Sequence, residues 1–95
     1  MKESIVENKD IKTNVYYLKF ALQFADDSIE DLVASFNHEV NNKGWTSMRA
    51  CHDRALIDEF LRRGIDISCV HNGHSTWFNC HVRYNILENR LETID

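Results

Sequence analysis

Cys51, His52 and Asp53 stand side by side, and a thiol, an imidazole and a carboxylate are the parts of a thiol hydrolase. On a helix, neighbouring side chains point about 100° apart. The three therefore cannot line up as nucleophile, base and orienter among themselves. Cys51 reads more simply as a small packing residue. Asp53 is more informative, because it falls one turn before Ile57 and two before Phe60 on one apolar stripe. A buried carboxylate needs partners or changes its pKa. The Trp45 indole, a backbone amide or a nearby hydroxyl could supply them. A pKa-shifted acid or base is the functional alternative, with a ligand pocket formed near Asp53, Trp45 and His71.

A second group, Cys69, His71, His74, Cys80 and His81, has the residue types of a metal site. Asn72-Gly73 between two β-like runs predicts a two-residue type I′ hairpin. In that register His71 faces His74, Cys69 faces Thr76 and Ile67 faces Phe78. Cys80 then lies about 20 Å beyond His74 along the strand, and His81 points to the other face. The hairpin alone offers no four-ligand zinc site, and at most Cys69, His71 and His74 converge. No metal and no cofactor is expected.

The outer face of the long strand carries Ser75, Trp77, Asn79, His81 and Arg83. A tryptophan left over from the core, flanked by Asn, His and Arg, has the composition of an interface. Tyr17 is a further candidate for that surface.

The elements that must place these residues follow from hydropathy patterning. Residues 1–12 show no sustained period and read as a loose arm before a single domain over residues 13–95. From 14 to 25, Tyr16, Leu18, Phe20, Leu22 and Phe24 alternate with Val15, Tyr17, Lys19, Ala21 and Gln23, which predicts a strand. Asp27 or Ser28 caps a helix carrying Ile29, Leu32, Val33, Phe36 and Val40, which ends at Asn41-Asn42-Lys43-Gly44. A second helix opens at Thr46 or Ser47 and closes at Arg62-Arg63-Gly64. Its main apolar face is Ala50, Leu56, Ile57, Phe60 and Leu61. Met48, Cys51 and Ala55 form a smaller cluster that calls for a second packing partner, for which another chain is a candidate. Glu59 with Arg63 and Asp58 with Arg62 read as surface pairs at i, i+4. Strands over 66–71, 75–84 and 91–94 complete the order β-α-α-β-β-β. The expected fold class is α+β, with two helices on one face of a mainly antiparallel sheet.

Composition narrows the function classes. The 95 residues carry 43% hydrophobic and 27% charged side chains, as an ordinary globule does. The net charge of −4 argues against nucleic-acid binding, since acids outnumber Lys and Arg. No run approaches a membrane span, and the first twelve residues lack the apolar core of a secretory signal. Three cysteines then read as free thiols in a reducing cytoplasm.

Phe36-Asn37, Gly44-Trp45-Thr46, Arg49-Ala50, His52-Asp53, Ala55-Leu56, Glu59-Phe60 and Arg62-Arg63-Gly64-Ile65-Asp66 together resemble small uncharacterised bacterial proteins carried on integron and other mobile gene cassettes. The resemblance covers roughly residues 16–84 and rests on texture, with no site motif. It implies a bacterial, cytoplasmic, accessory protein, often oligomeric, and no catalytic residues. The expectation is a non-enzymatic module that self-associates or binds another protein through Trp77, Asn79, His81, Arg83 and Tyr17. The alternative is a small-ligand binder or small enzyme with its pocket at Asp53.

Overall fold

A computed structural model describes residues 11–42, 44 and 46–94. It contains helices α1 (Val15–Asp26), α2 (Ile29–Glu39) and α3 (Ser47–Arg62) and strands β1 (Val82–Asn85) and β2 (Arg90–Thr93). Residues 11–13 are also helical, and most of the expected arm lies outside the described residues. The fold is α+β but helix-dominated, and its sheet has two strands. The order β-α-α-β-β-β is therefore wrong in two places.

The first correction is α1, expected as a strand. The same residues that alternate with period two also place Tyr17, Phe20, Ala21 and Phe24 at i, i+3, i+4 and i+7, so both periods fit. Ala, Leu, Lys and Gln favour the helix. The Asn14 side chain accepts the Tyr16 amide at 2.8 Å and starts it. Phe24 is buried, and Tyr17, Phe20 and Ala21 pack at the edge of the core. Their partner is the second apolar face of α3, where Cys51 and Ala55 are buried. The partner expected for that face is thus this chain's own first helix.

The second correction is the stretch between α3 and β1. Asp66 Oδ1 accepts the Ser68 amide at 2.9 Å, and Val70 N–H donates to Ile67 O at 3.0 Å. These turns leave only isolated bridges, Asp66 with Arg90 and His71 with Thr76. Asn72 Oδ1 takes the amides of both His74 and Ser75, so the loop widens to four residues. His71 faces Thr76 and not His74, a slip of two that preserves which residues share a face. Regular strand begins only at Val82.

The remaining signals read as expected. Ser28 Oγ accepts the Asp31 amide, and Thr46 Oγ1 accepts the Arg49 amide. Gly64 follows α3 with a φ of +74°, a left-handed position suited to glycine. β2 returns antiparallel, pairing Val82 with Thr93 and Tyr84 with Leu91, after a turn in which Asn89 takes a positive φ. The hairpin is fixed to α2 by Asn37. Its amide donates to Val82 O at 2.9 Å and accepts from Val82 N–H at 2.8 Å, in place of a neighbouring strand. Phe24, Leu32, Phe36, Leu56, Phe60, Val70 and Val82 fill the centre. Truncating one of the aromatics there costs about 3–5 kcal/mol. Among the described residues no helix is long and apolar enough to cross a membrane.

Candidate functional site

The loop over residues 71–78 folds back against α3 and leaves a cleft of about 180 Å³. Asp53, Ile57 and Asp58 form the helix wall, and His71, Thr76 and Phe78 face them. Trp77 N–H donates to Val70 O at 3.0 Å, and His71 Nδ1 lies 2.7 Å from Thr76 Oγ1. Phe78 is anchored by the Phe36 ring, at a centroid distance of 4.7 Å. The structure therefore brings together Asp53 and His71, which are 18 positions apart in the chain. Trp45 lies outside the described residues.

Asp53 belongs at the same time to a half-buried charge cluster. Arg49 Nε is 2.8 Å from Glu39 Oε1 and 3.4 Å from Asp53 Oδ2, and His52 Nδ1 is 3.1 Å from Asp53 Oδ1. Among the described residues the partners of Asp53 are thus the Arg49 guanidinium and the His52 imidazole, where a backbone amide or a hydroxyl was expected. Ligand atoms of Glu39, His52 and Asp53 lie within 4.8 Å of one another, a spacing suited to a cation. The Arg49 guanidinium supplies that charge, and it also donates to the carbonyls of Asn42 and Gly44 beyond the end of α2. Glu39 has a side chain only 7% exposed, and burial and the nearby Asp53 push its carboxyl above the usual range. Sequence reading missed Glu39. It follows Phe36 by three and Leu32 by seven on the apolar stripe of α2, the same sign that drew attention to Asp53.

His52 is placed from the other side by α1. The Phe20 and Phe24 rings meet its imidazole edge-on at 5.0 and 5.3 Å. Cys51, the third member of the apparent triad, is buried.

The other candidates are scattered. Cys69 Sγ donates to Leu91 O at 3.2 Å, and burial pushes its thiol up. His71 is bonded to Thr76, and His74 is exposed. Of the proposed contact surface, Trp77 and Asn79 lie exposed in the loop before β1. Half-buried His81 precedes β1, and Arg83 on β1 pairs with Glu92 at 3.3 Å. Tyr17 lies on α1 and donates to Asp58 Oδ2 at 2.6 Å. Burial and that carboxylate push its phenol up to about 12. The five positions do not form one sheet face.

Exposed apolar side chains occur in the turn between the strands, at Ile86 and Leu87, and along one helix. On α1, Val15, Leu18 and Leu22 are 60%, 48% and 73% exposed. With exposed Ala25 they recur at steps of three, four and three, the seam spacing of a coiled coil. Beside this seam a groove runs between α1 and α3, lined by Leu18, Ala21, Leu22, Ala25 and Ala55 and edged by Asp58 and Arg62.

No protein-family model, curated protein or solved structure matches this chain.

Proposed function

We propose that this chain is a non-enzymatic module that works by protein association, through a second copy or a partner helix laid on the outer face of α1. The supporting observation is the seam of Val15, Leu18, Leu22 and Ala25, which points away from the core while Tyr17, Phe20 and Phe24 occupy the inner face. A helix of a single folded domain needs one apolar stripe, and α1 has two. The residue spacing of the outer one suits another helix better than a loop or a small molecule. A cytoplasmic accessory role, as the mobile-cassette resemblance implies, belongs to the same proposal. Sedimentation of the wild type and of a Leu18→Gln/Leu22→Gln variant tests it. The wild type should sediment above monomer mass with rising concentration and the variant should not. A wild type that stays monomeric and captures no helical partner defeats the reading.

A second reading rests on the cleft between α3 and residues 71–78. Two carboxylates, two imidazoles, the Arg54 side chain and the Phe78 ring line a space fit for a small polar ligand. A thermal-shift screen against small molecules separates the two readings, since ligand stabilisation lost in His71→Ala would favour this one.

A further inference from the structure

We propose that Glu39 and Asp53 hold one proton between them, and that its loss as pH rises adds a second negative charge behind the cleft wall and loosens the junction of α2 and α3. The geometry sets an imbalance of charge. Two carboxyls, 7% and 15% exposed, face each other with one guanidinium between them. The rest of that guanidinium is committed to the carbonyls of Asn42, Gly44 and Glu39. One positive charge cannot neutralise two carboxylates, one buried and one half-buried, and like charges this close do not both ionise readily. A proton on one carboxyl converts the repulsion into a hydrogen bond to the other.

Among the surroundings, Arg49 and His52 oppose the rise of the Glu39 carboxyl, and burial and Asp53 outweigh them. From α2, His38 Nδ1 approaches Glu39 Oε2 at 3.9 Å, but that ring is 84% exposed. From α3 come Arg49 and His52, and the latter bonds Asp53 alone. From α1 the neighbours are the Phe20 and Phe24 rings, which bring no charge. On the cleft side Arg54, Asp58, His71 and His74 line the same space as Asp53. Burial and Asp53 both raise the Glu39 carboxyl, in agreement with the shared proton.

The direction of the pH effect follows from linkage. A carboxyl raised in the folded state contributes stability that is fully present below the ordinary glutamate value of 4.5 and is lost as pH rises through the raised value. Working above that ordinary value sets aside Glu59, Asp66 and Glu92, whose carboxyls are held down.

Thermal unfolding of the full chain, followed from weakly acidic to mildly alkaline buffer, reads this out. The wild-type midpoint should fall by several degrees across the range. Glu39→Gln, which cannot ionise, should melt higher than wild type at the alkaline end and show a shallower fall. A wild-type midpoint that is flat or rising overturns the proposal. So does a fall that Glu39→Gln keeps and His52→Gln abolishes, because the proton then resides on the imidazole. Should Glu39→Gln not fold, carbon-13 titration of the wild-type carboxyls decides. One glutamate should titrate above the ordinary range, and glutamates that all titrate within it overturn the idea.

Discussion

Arg63, at the end of α3, donates through one guanidinium nitrogen to Phe24 O at 2.9 Å and closes the end of α1, 39 residues earlier in the chain. The same nitrogen donates to Asp27 O at 2.7 Å, while Arg63 Nε is held by Glu59 Oε2 at 2.6 Å. Glu59 is only 5% exposed, so what reads in sequence as a surface pair at i, i+4 is a buried clamp. Arg49 does the same for α2, held by Glu39 and donating to the carbonyls beyond it. Each helix end has carbonyls that lack intrahelical partners, and a guanidinium meets several at once.

Breaking the Glu59 clamp should therefore cost far more than an exposed pair would. Glu59→Ala leaves Arg63 without its buried counter-charge, and urea unfolding should show a loss of about 3–5 kcal/mol. Arg62→Ala should have a smaller effect, since that side chain is 63% exposed and Arg63 keeps its own bond to Oε2 when the two Arg62 bonds to the carboxylate are lost.

The clamp also has an acid limit. Hydrogen bonds from Arg62 and then Arg63 hold the Glu59 carboxyl below the usual range. A lowered folded-state pKa gives stability that is present above the ordinary value and lost as pH falls through the lowered one. Acid unfolding of the wild type should show that loss on the acid side of 4.5, and Glu59→Gln should flatten it.

Tyr17 should resist ionisation. Its phenol is pushed up to about 12 by burial and by Asp58, so ultraviolet titration should show one tyrosine ionising well above the ordinary value of 10.0. The bond contributes stability below that ordinary value which is lost as pH climbs to about 12. Asp58→Ala should move the late step down. Tyr17→Phe should cost about 1 kcal/mol at neutral pH.

Asn37 replaces a strand, and its removal should expose that role. Asn37→Ala strips Val82 of partners for both its N–H and its C=O. A loss of about 2–3 kcal/mol in urea unfolding is expected. The Val82 amide should exchange with solvent faster, with little change at the pairing of Tyr84 and Leu91.

Leu22→Gln separates association from folding. The side chain is 73% exposed, so monomer stability should shift by no more than about 0.5 kcal/mol in chemical unfolding. Any association through α1 should nonetheless weaken in sedimentation.

The sequence made the capped elements legible and the ambiguous ones misleading. Ser28, Thr46 and Gly64 mark α2 and α3 because a cap is a local contact between residues three or fewer apart. Residues 15–25 satisfy two periods at once, and the alternating aromatics outweighed the helix-forming Ala, Leu, Lys and Gln. The Asn-Gly signal placed a turn correctly, but the Asp66 and Asn72 side chains took backbone amides and left little for a ladder. Of the site, Asp53 and His71 were legible as an unusual carboxylate and a ring near a turn. Glu39 carries the same stripe signal as Asp53, but its pairing with Arg49 is not legible, because only tertiary packing brings the end of one helix against the first turn of the next.

Both clamps originate on α3. Neither α1 nor α2 can fray at its C-terminal end without first releasing a guanidinium bound to a nearly buried glutamate. Partial unfolding therefore carries a charge penalty at either junction, and the three helices should melt as one cooperative unit.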